Sequence, residues 1–273
     1  MTYFGFLIIF LVVPLGAILL LTWNDIRRGR RLPAVLDTWP AWMAVLLHVV
    51  IAVIYTTPWD NYLVATGVWY YPLERVTGLK LGWVPIEEYT FFVLQSLLTG
   101  FWLLFLAKRI HLPVGPIQAR TGFRVGVILF LGILVIAGIV ILTSGYAPGT
   151  YAALILVWAL PPIMIQVGWG GHILWQYRKL VLTALISVTF YLAVVDSFAI
   201  SQGIWTIDPN QSFHWFIFGK LPIEEFIFFV VTNTLLTFGV TLALAKPSLE
   251  QFARFRARLR GEQVQKSIRS VNS

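Results

Sequence analysis

The octapeptide Pro85-Ile86-Glu87-Glu88-Tyr89-Thr90-Phe91-Phe92 returns later in the chain as Pro222-Ile223-Glu224-Glu225-Phe226-Ile227-Phe228-Phe229. In each copy two adjacent carboxyl groups open a long apolar run. A charged side chain there costs about 2.5–3.5 kcal/mol near the centre of a lipid-embedded helix, and less near its ends. Asp60 precedes Trp69 by the same interval as Asp196 precedes Trp205. Six of the 12 acidic residues therefore form two matching triplets, Asp60, Glu87, Glu88 and Asp196, Glu224, Glu225. Burial and a second carboxylate favour the neutral form of a carboxyl group, and the positive end of a helix dipole opposes them. Neighbouring acids in unlike surroundings can then hold one proton between them, one serving as acid and the other as base. In an apolar site such a donor can protonate even an alkene. Proline followed by glutamate is also ordinary helix-start chemistry. That reading accounts for one glutamate per helix better than for two side by side, about 100° apart around the axis.

Alkene protonation leaves a carbocation, and the neighbouring residues suit one. Glu88 shares a helical face with Phe91 and Phe92, and Glu225 shares one with Phe228 and Phe229. An aromatic ring face stabilises a cation by about 2 kcal/mol or more when water is excluded, and offers no nucleophile to trap it. Packing against lipid or another helix explains the same phenylalanines equally well. Gln95 and Asn233, further along the two runs, either steer the acids or bond neighbouring helices.

The elements that must position these groups are membrane helices. Hydrophobic residues make up 58% of the 273, charged residues only 12%, and mean hydropathy is +0.80. Soluble domains carry about 25% charged residues. Apolar runs of spanning length fall near 3–23, 40–57, 83–107, 123–143, 150–172, 179–200 and 222–245, which predicts a multi-pass protein with seven helices. The first run lacks the basic start of a cleaved signal and is expected to be retained. The chain has no cysteine, which excludes disulfides and thiol chemistry, and four scattered histidines show no metal-ligand spacing, so no metal is expected.

All but three of the 20 Lys and Arg (Arg75, Lys80 and Lys220) fall after helix 1, between helices 3 and 4, between helices 5 and 6, or after helix 7. With seven spans these segments share one side, so the positive-inside rule puts the N-terminus out and the C-terminus in. In the basic tail Phe252, Phe255 and Leu259 fall at helical spacing among Arg254, Arg256, Arg258 and Arg260. That pattern suits an amphipathic helix on an anionic membrane surface, or a solvated tail, and no nucleic-acid role is expected.

The duplicated residues predict an internal repeat: helices 1–3 (residues 1–110) match helices 5–7 (150–246), with a spacer helix within 111–149 and a basic cytoplasmic tail over 247–273. The unpaired fourth helix makes the two repeats parallel rather than inverted, which brings both acidic triplets to one membrane face. The loops after helices 2 and 6 hold Trp59, Tyr62, Trp69, Tyr70, Tyr71 and Trp83, and Trp205 and Trp215. An interfacial aromatic belt explains much of that enrichment.

The doubled pattern of Asp, Trp and Pro-Ile-Glu-Glu-x-x-Phe-Phe, with three spans per copy, resembles the membrane-integral lycopene cyclases. These occur as two small subunits in some actinobacteria, as one fused chain in archaea and other bacteria, and as the cyclase part of a bifunctional fungal enzyme. The resemblance covers nearly the whole chain apart from the tail. It implies cofactor-free, acid-catalysed cyclisation of the ψ-ends of lycopene to β-ionone rings in the cell membrane. It makes Glu87, Glu88, Glu224 and Glu225 the catalytic candidates, with Asp60 and Asp196 in support. Phe91, Phe92, Phe228, Phe229, Trp69, Trp205, Gln95 and Asn233 would bind substrate or stabilise the cation. No flavin or nicotinamide is expected, since the chain has no Gly-x-Gly-x-x-Gly after a strand. Lycopene or another acyclic carotenoid, membrane lipid and other enzymes of the pathway are the implied partners. Two alternatives stay open here: a carotenoid hydratase in which water captures the same cation, and a SWEET-like seven-helix transporter, whose polar residues would sit nearer mid-bilayer. A retinal protein lacks its lysine, since no Lys falls in the last run, 222–245.

Overall fold

Helix α1, Tyr3–Arg27, starts where the Thr2 hydroxyl caps the Gly5 amide at 3.2 Å, and widens into a π turn over Ile8–Val12 just before Pro14. In the computed structural model, which describes residues 1–217 and 219–260, six further helices are long and apolar enough to cross a membrane. They are α2 (Ala41–Ala65), α3 (Ile86–Ala107), α4 (Thr121–Ser144), α5 (Thr150–Gln176), α6 (Arg178–Ser201) and α7 (Ile223–Leu244). The protein is a multi-pass membrane protein. A short helix α8, Lys246–Leu259, follows.

Helix α2 corrects the sequence expectation. Its apolar run was expected to end at residue 57, before Pro58, leaving Trp59 and Tyr62 in a loop. The helix instead continues to Ala65, so Trp59, Asp60 and Tyr62 are helical. A proline removes one backbone bond and crowds the preceding turn. Here the Thr57 hydroxyl donates to the Val53 carbonyl at 2.6 Å, and the Asn61 amide donates to the Thr57 carbonyl at 2.9 Å, so side chains add bonds on either side of the proline. The extension carries Asp60 into the protein interior.

The centre of the molecule is built from α3 and α7, which hold the largest buried shares of the seven spans, 61% and 67%. Helix α4 is the reverse, 6% buried, and packs chiefly on α5. Gly100 of α3 lets α2 approach closely, since a Cβ there would lie 2.6 Å from Val45 Cγ1. Leu242 of α7 fills the notch at Gly170, where α5 kinks out of helical geometry.

Short strands organise the loops that cap one end of the bundle. The pairs β2–β3 (Lys80–Leu81 with Val84–Pro85) and β5–β6 (Phe216–Ile217 with Leu221–Pro222) lead directly into α3 and α7. Strand β1, Trp69–Tyr70, pairs antiparallel with β4, Thr206–Ile207, and joins the loop after α2 to the loop after α6. In α8, Phe252, Phe255 and Leu259 are exposed on one face while Ala253 and Ala257 pack inward, as the amphipathic reading expects. Residues 261–273 of the basic tail lie outside the described residues.

Candidate active site

Pro85 and Pro222 sit extended at the N-caps of α3 and α7, so the two glutamates after each occupy the second and third helical positions. Both members of each pair are buried, and none of the six clustered acids is more than 5% exposed. The members of a pair point to different partners. Glu87 Oε1 accepts the Thr77 backbone amide at 2.6 Å, and Glu224 Oε1 accepts the Phe213 amide at 2.6 Å, with the Ser212 hydroxyl 3.4 Å from its Oε2. The first glutamate of each copy thus pins the preceding loop to its helix.

The second glutamates turn the other way, into one pocket. That pocket is lined by Glu88, Glu225 and Asp196 with aromatic side chains including Trp69, Trp205, Phe91, Phe228 and Phe229, and has about 280 Å³ of empty space. Phenols hold both acids in place. Glu88 Oε2 accepts the Tyr3 hydroxyl at 2.5 Å and the Tyr71 hydroxyl at 2.9 Å, and Glu225 Oε1 accepts the Tyr151 hydroxyl at 2.8 Å. Burial first, then the charges of Glu88 and Asp60, pushes the Tyr71 phenol well above its ordinary value, so it stays protonated and donates.

Asp196 is buried in the pocket wall and Asp60 is buried outside its lining, both oxygens of Asp60 and Oδ2 of Asp196 lacking a protein partner. Among the described residues, the ion pairs within 4.0 Å all involve Asp25, which meets Arg109 at 2.8 Å and Arg30 at 3.5 Å. The six clustered acids have no Lys or Arg partner there.

The aromatic wall is continuous. Trp205 lies 5.0 Å from Tyr3, 5.2 Å from Phe6 and 6.2 Å from Phe91, centroid to centroid. Trp59 stacks on Phe228 at 5.8 Å and on Trp158 at 4.4 Å, and Phe91 meets Phe229 at 6.4 Å. Phe92 is buried but faces a neighbouring cavity. Gln95 and Asn233 do not reach the acids in this structure. The Gln95 amide donates to Thr232 at 3.1 Å, and Asn233 accepts from Thr99 at 2.8 Å and donates to Thr189 at 3.1 Å, so both bridge helices.

Sequence reasoning missed the phenols. A signal existed, because Thr2-Tyr3 and Thr150-Tyr151 are the same dipeptide at the start of helices expected to match. Tyr71 had been assigned to an interfacial belt.

Comparison with known proteins places the chain. It is 39% identical over 194 residues to the lycopene beta-cyclase of Halobacterium salinarum, an overlap of 70% of this chain and 78% of that protein. The chain belongs to the lycopene cyclase family. Among other lycopene cyclase relatives, the bifunctional lycopene cyclase/phytoene synthase of Podospora anserina is 35% identical over 201 residues, covering 71% of this chain and 34% of that one. The bifunctional protein of Gibberella fujikuroi is 35% identical over 217 residues, with 76% and 36% covered. No family model matches the chain, and no solved structure matches it.

Proposed function

We propose that the protein is a lycopene cyclase that closes the ψ-ends of lycopene into β-ionone rings by acid catalysis in the membrane. One observation carries the mechanism: Glu88 and Glu225, from the two copies of the motif, line a single aromatic pocket. A buried group of carboxyls without basic partners holds fewer charges than carboxyl groups, because an unpaired buried charge is far costlier than a neutral acid. A proton passes from a glutamate to the terminal double bond of the substrate. The next double bond attacks the resulting tertiary cation and closes the ring. A carboxylate then removes a ring proton, and the carbon that loses it decides the ring type. Atoms balance without any oxidant or reductant, and this reading invokes neither flavin nor nicotinamide.

Glu88, with two phenol donors on one oxygen, suits the carboxylate role. Glu225, with one, suits the acid. Glu87 and Glu224 support the site by fixing its loops, Asp60 and Asp196 add negative potential beside the cation, and Trp69, Trp205, Phe91, Phe228 and Phe229 face it. Gln95 and Asn233 act by holding helices, and Phe92 by binding substrate next door.

The recurrence of Tyr–Glu and amide–Glu bonds in both halves supports two parallel three-helix repeats, over 1–110 and 150–246, joined through α4. Charge distribution supports an N-terminus outside, a C-terminus inside, and the cell membrane as location. The test is expression in bacteria that accumulate lycopene. Cyclic carotenoid is expected, and Glu88→Gln or Glu225→Gln should abolish it in protein that still inserts. Unchanged lycopene with inserted wild-type protein would sink the reading, and water adducts would point to a hydratase.

A further inference from the structure

A second cavity adjoins the acid pocket. Phe228 lines both, and the second lies between α2 and α5, floored by α3 and α7. At the acid end the seam between α2 and α5 is closed by aromatic contacts. The Tyr55 hydroxyl donates to the Trp158 carbonyl at 2.8 Å, the Trp59 indole donates to the Leu154 carbonyl at 3.2 Å, and Tyr55, Trp158 and Trp59 stack. Further along, Ile51 of α2 lines the cavity and is half exposed on a lipid-facing helix, so the space opens sideways.

Several polar groups around this space are engaged with the protein, while Gln166 Oε1 and Trp158 Nε1 lack a protein partner. Gln95 donates to Thr232 and Thr232 to the Phe228 carbonyl, while the Gln166 amide donates to the Leu235 carbonyl at 3.0 Å. His48 Nδ1 lies 2.7 Å from the Ala44 carbonyl. The rest of the lining makes a mostly apolar, aromatic-walled slot.

The slot breaks the internal repeat. Aligning Glu88 with Glu225 places Gly239 opposite Trp102, and aligning Asp60 with Asp196 places Ile51 opposite Ser187. At the Trp102 position the indole donates to Ser187 at 2.7 Å and fills the space between α3 and α6. At the Gly239 position there is no side chain, and His48 and Gln166 occupy the space a Cβ would take. One position carries a tryptophan, and at the other stand His48 and Gln166, which also line the slot.

We propose that this slot seats the conjugated polyene arm of the carotenoid, admitted from the bilayer between α2 and α5, with its end group delivered past Phe228 to Glu88 and Glu225. The proposal rests on the cyclase reading for the identity of its ligand, and its test separates the two.

Ala52 lines the slot and belongs to neither the acid pocket nor its hydrogen bonds. Ala52→Trp should cut cyclisation at least about tenfold in inserted, monodisperse protein, and Ser96→Leu, filling the slot from α3, should do the same. Ile186→Trp, on the exposed face of α6, should leave it unchanged. Binding is read separately. Glu225→Gln purified in detergent from lycopene-accumulating cells should retain lycopene, seen by absorbance, and Ala52→Trp added to it should remove the pigment. Wild-type turnover in both filling variants, or full pigment retention in the double variant, overturns the proposal and leaves the slot to a lipid chain. Pigment held by Glu225→Gln and lost with Ala52→Trp, but no cyclic product from wild type, would keep the slot and reject the cyclase.

Discussion

Two adjacent glutamates divide their work, and the division follows from helix geometry. Neighbouring positions differ by about 100° around the axis, so a pair at a helix start cannot face one way. Glu87 and Glu224 take the loop amides, and Glu88 and Glu225 take the pocket. A hydrogen bond to a charged group contributes roughly 1.5–3 kcal/mol, which corresponds to about 10- to 100-fold in a rate or an equilibrium. Glu224→Gln should therefore lower thermal stability and keep measurable turnover, whereas Glu225→Gln removes turnover, as a melting curve and a product assay on the same samples would show. Tyr151→Phe should slow cyclisation by about 10- to 100-fold with the ring type unchanged. Tyr71→Phe, by loosening the base, should instead raise the share of other double-bond isomers or water adducts. Equal effects of the two on rate and ring type would remove the assignment of acid and base.

At the scale of elements, seven helices and their approximate ends were legible from apolar run length, because a bilayer demands it. The site was half legible. The duplicated Pro-Ile-Glu-Glu stood out because charge in an apolar run is rare, so Glu87, Glu88, Glu224 and Glu225 announced themselves. Trp59 did not, because Pro58 reads as a helix end in isolation and the packing of Trp59 on Trp158 and Phe228 is set by the tertiary fold. Tyr3 and Tyr151 were hidden for another reason. They contact the acids across more than 70 residues of sequence, a pairing set by tertiary packing alone. Close helix approach has its own test. A Cβ at Gly100 would press on Val45, so Gly100→Ala should destabilise the α2–α3 contact by about 1–3 kcal/mol and lower the melting temperature without changing the product.

At the scale of the whole molecule, the halves meet along much of their length, through β1 with β4 at the capped end, through the shared pocket below it, and through the Gln95–Thr232, Thr99–Asn233 and Trp102–Ser187 hydrogen bonds further along. Glu88 of one triplet and Glu225 and Asp196 of the other line that one pocket, and the proposal that the two copies of the motif act as one centre rests on this.

Trp102 standing where the other half has Gly239 then reaches beyond the protein. Lycopene is a molecule with two identical ends, and a single acid pocket served by the proposed slot must let go of it after the first ring and receive it again the other way round. How many rings a molecule acquires becomes a matter of traffic in the bilayer, fresh lycopene competing with half-finished product for the same entrance. One-ring carotenoid should accumulate early and rise as lycopene is supplied in excess over enzyme, as chromatography of timed samples would record. Two-ring product from the first turnovers, at every ratio, would mean that the molecule is never released between rings.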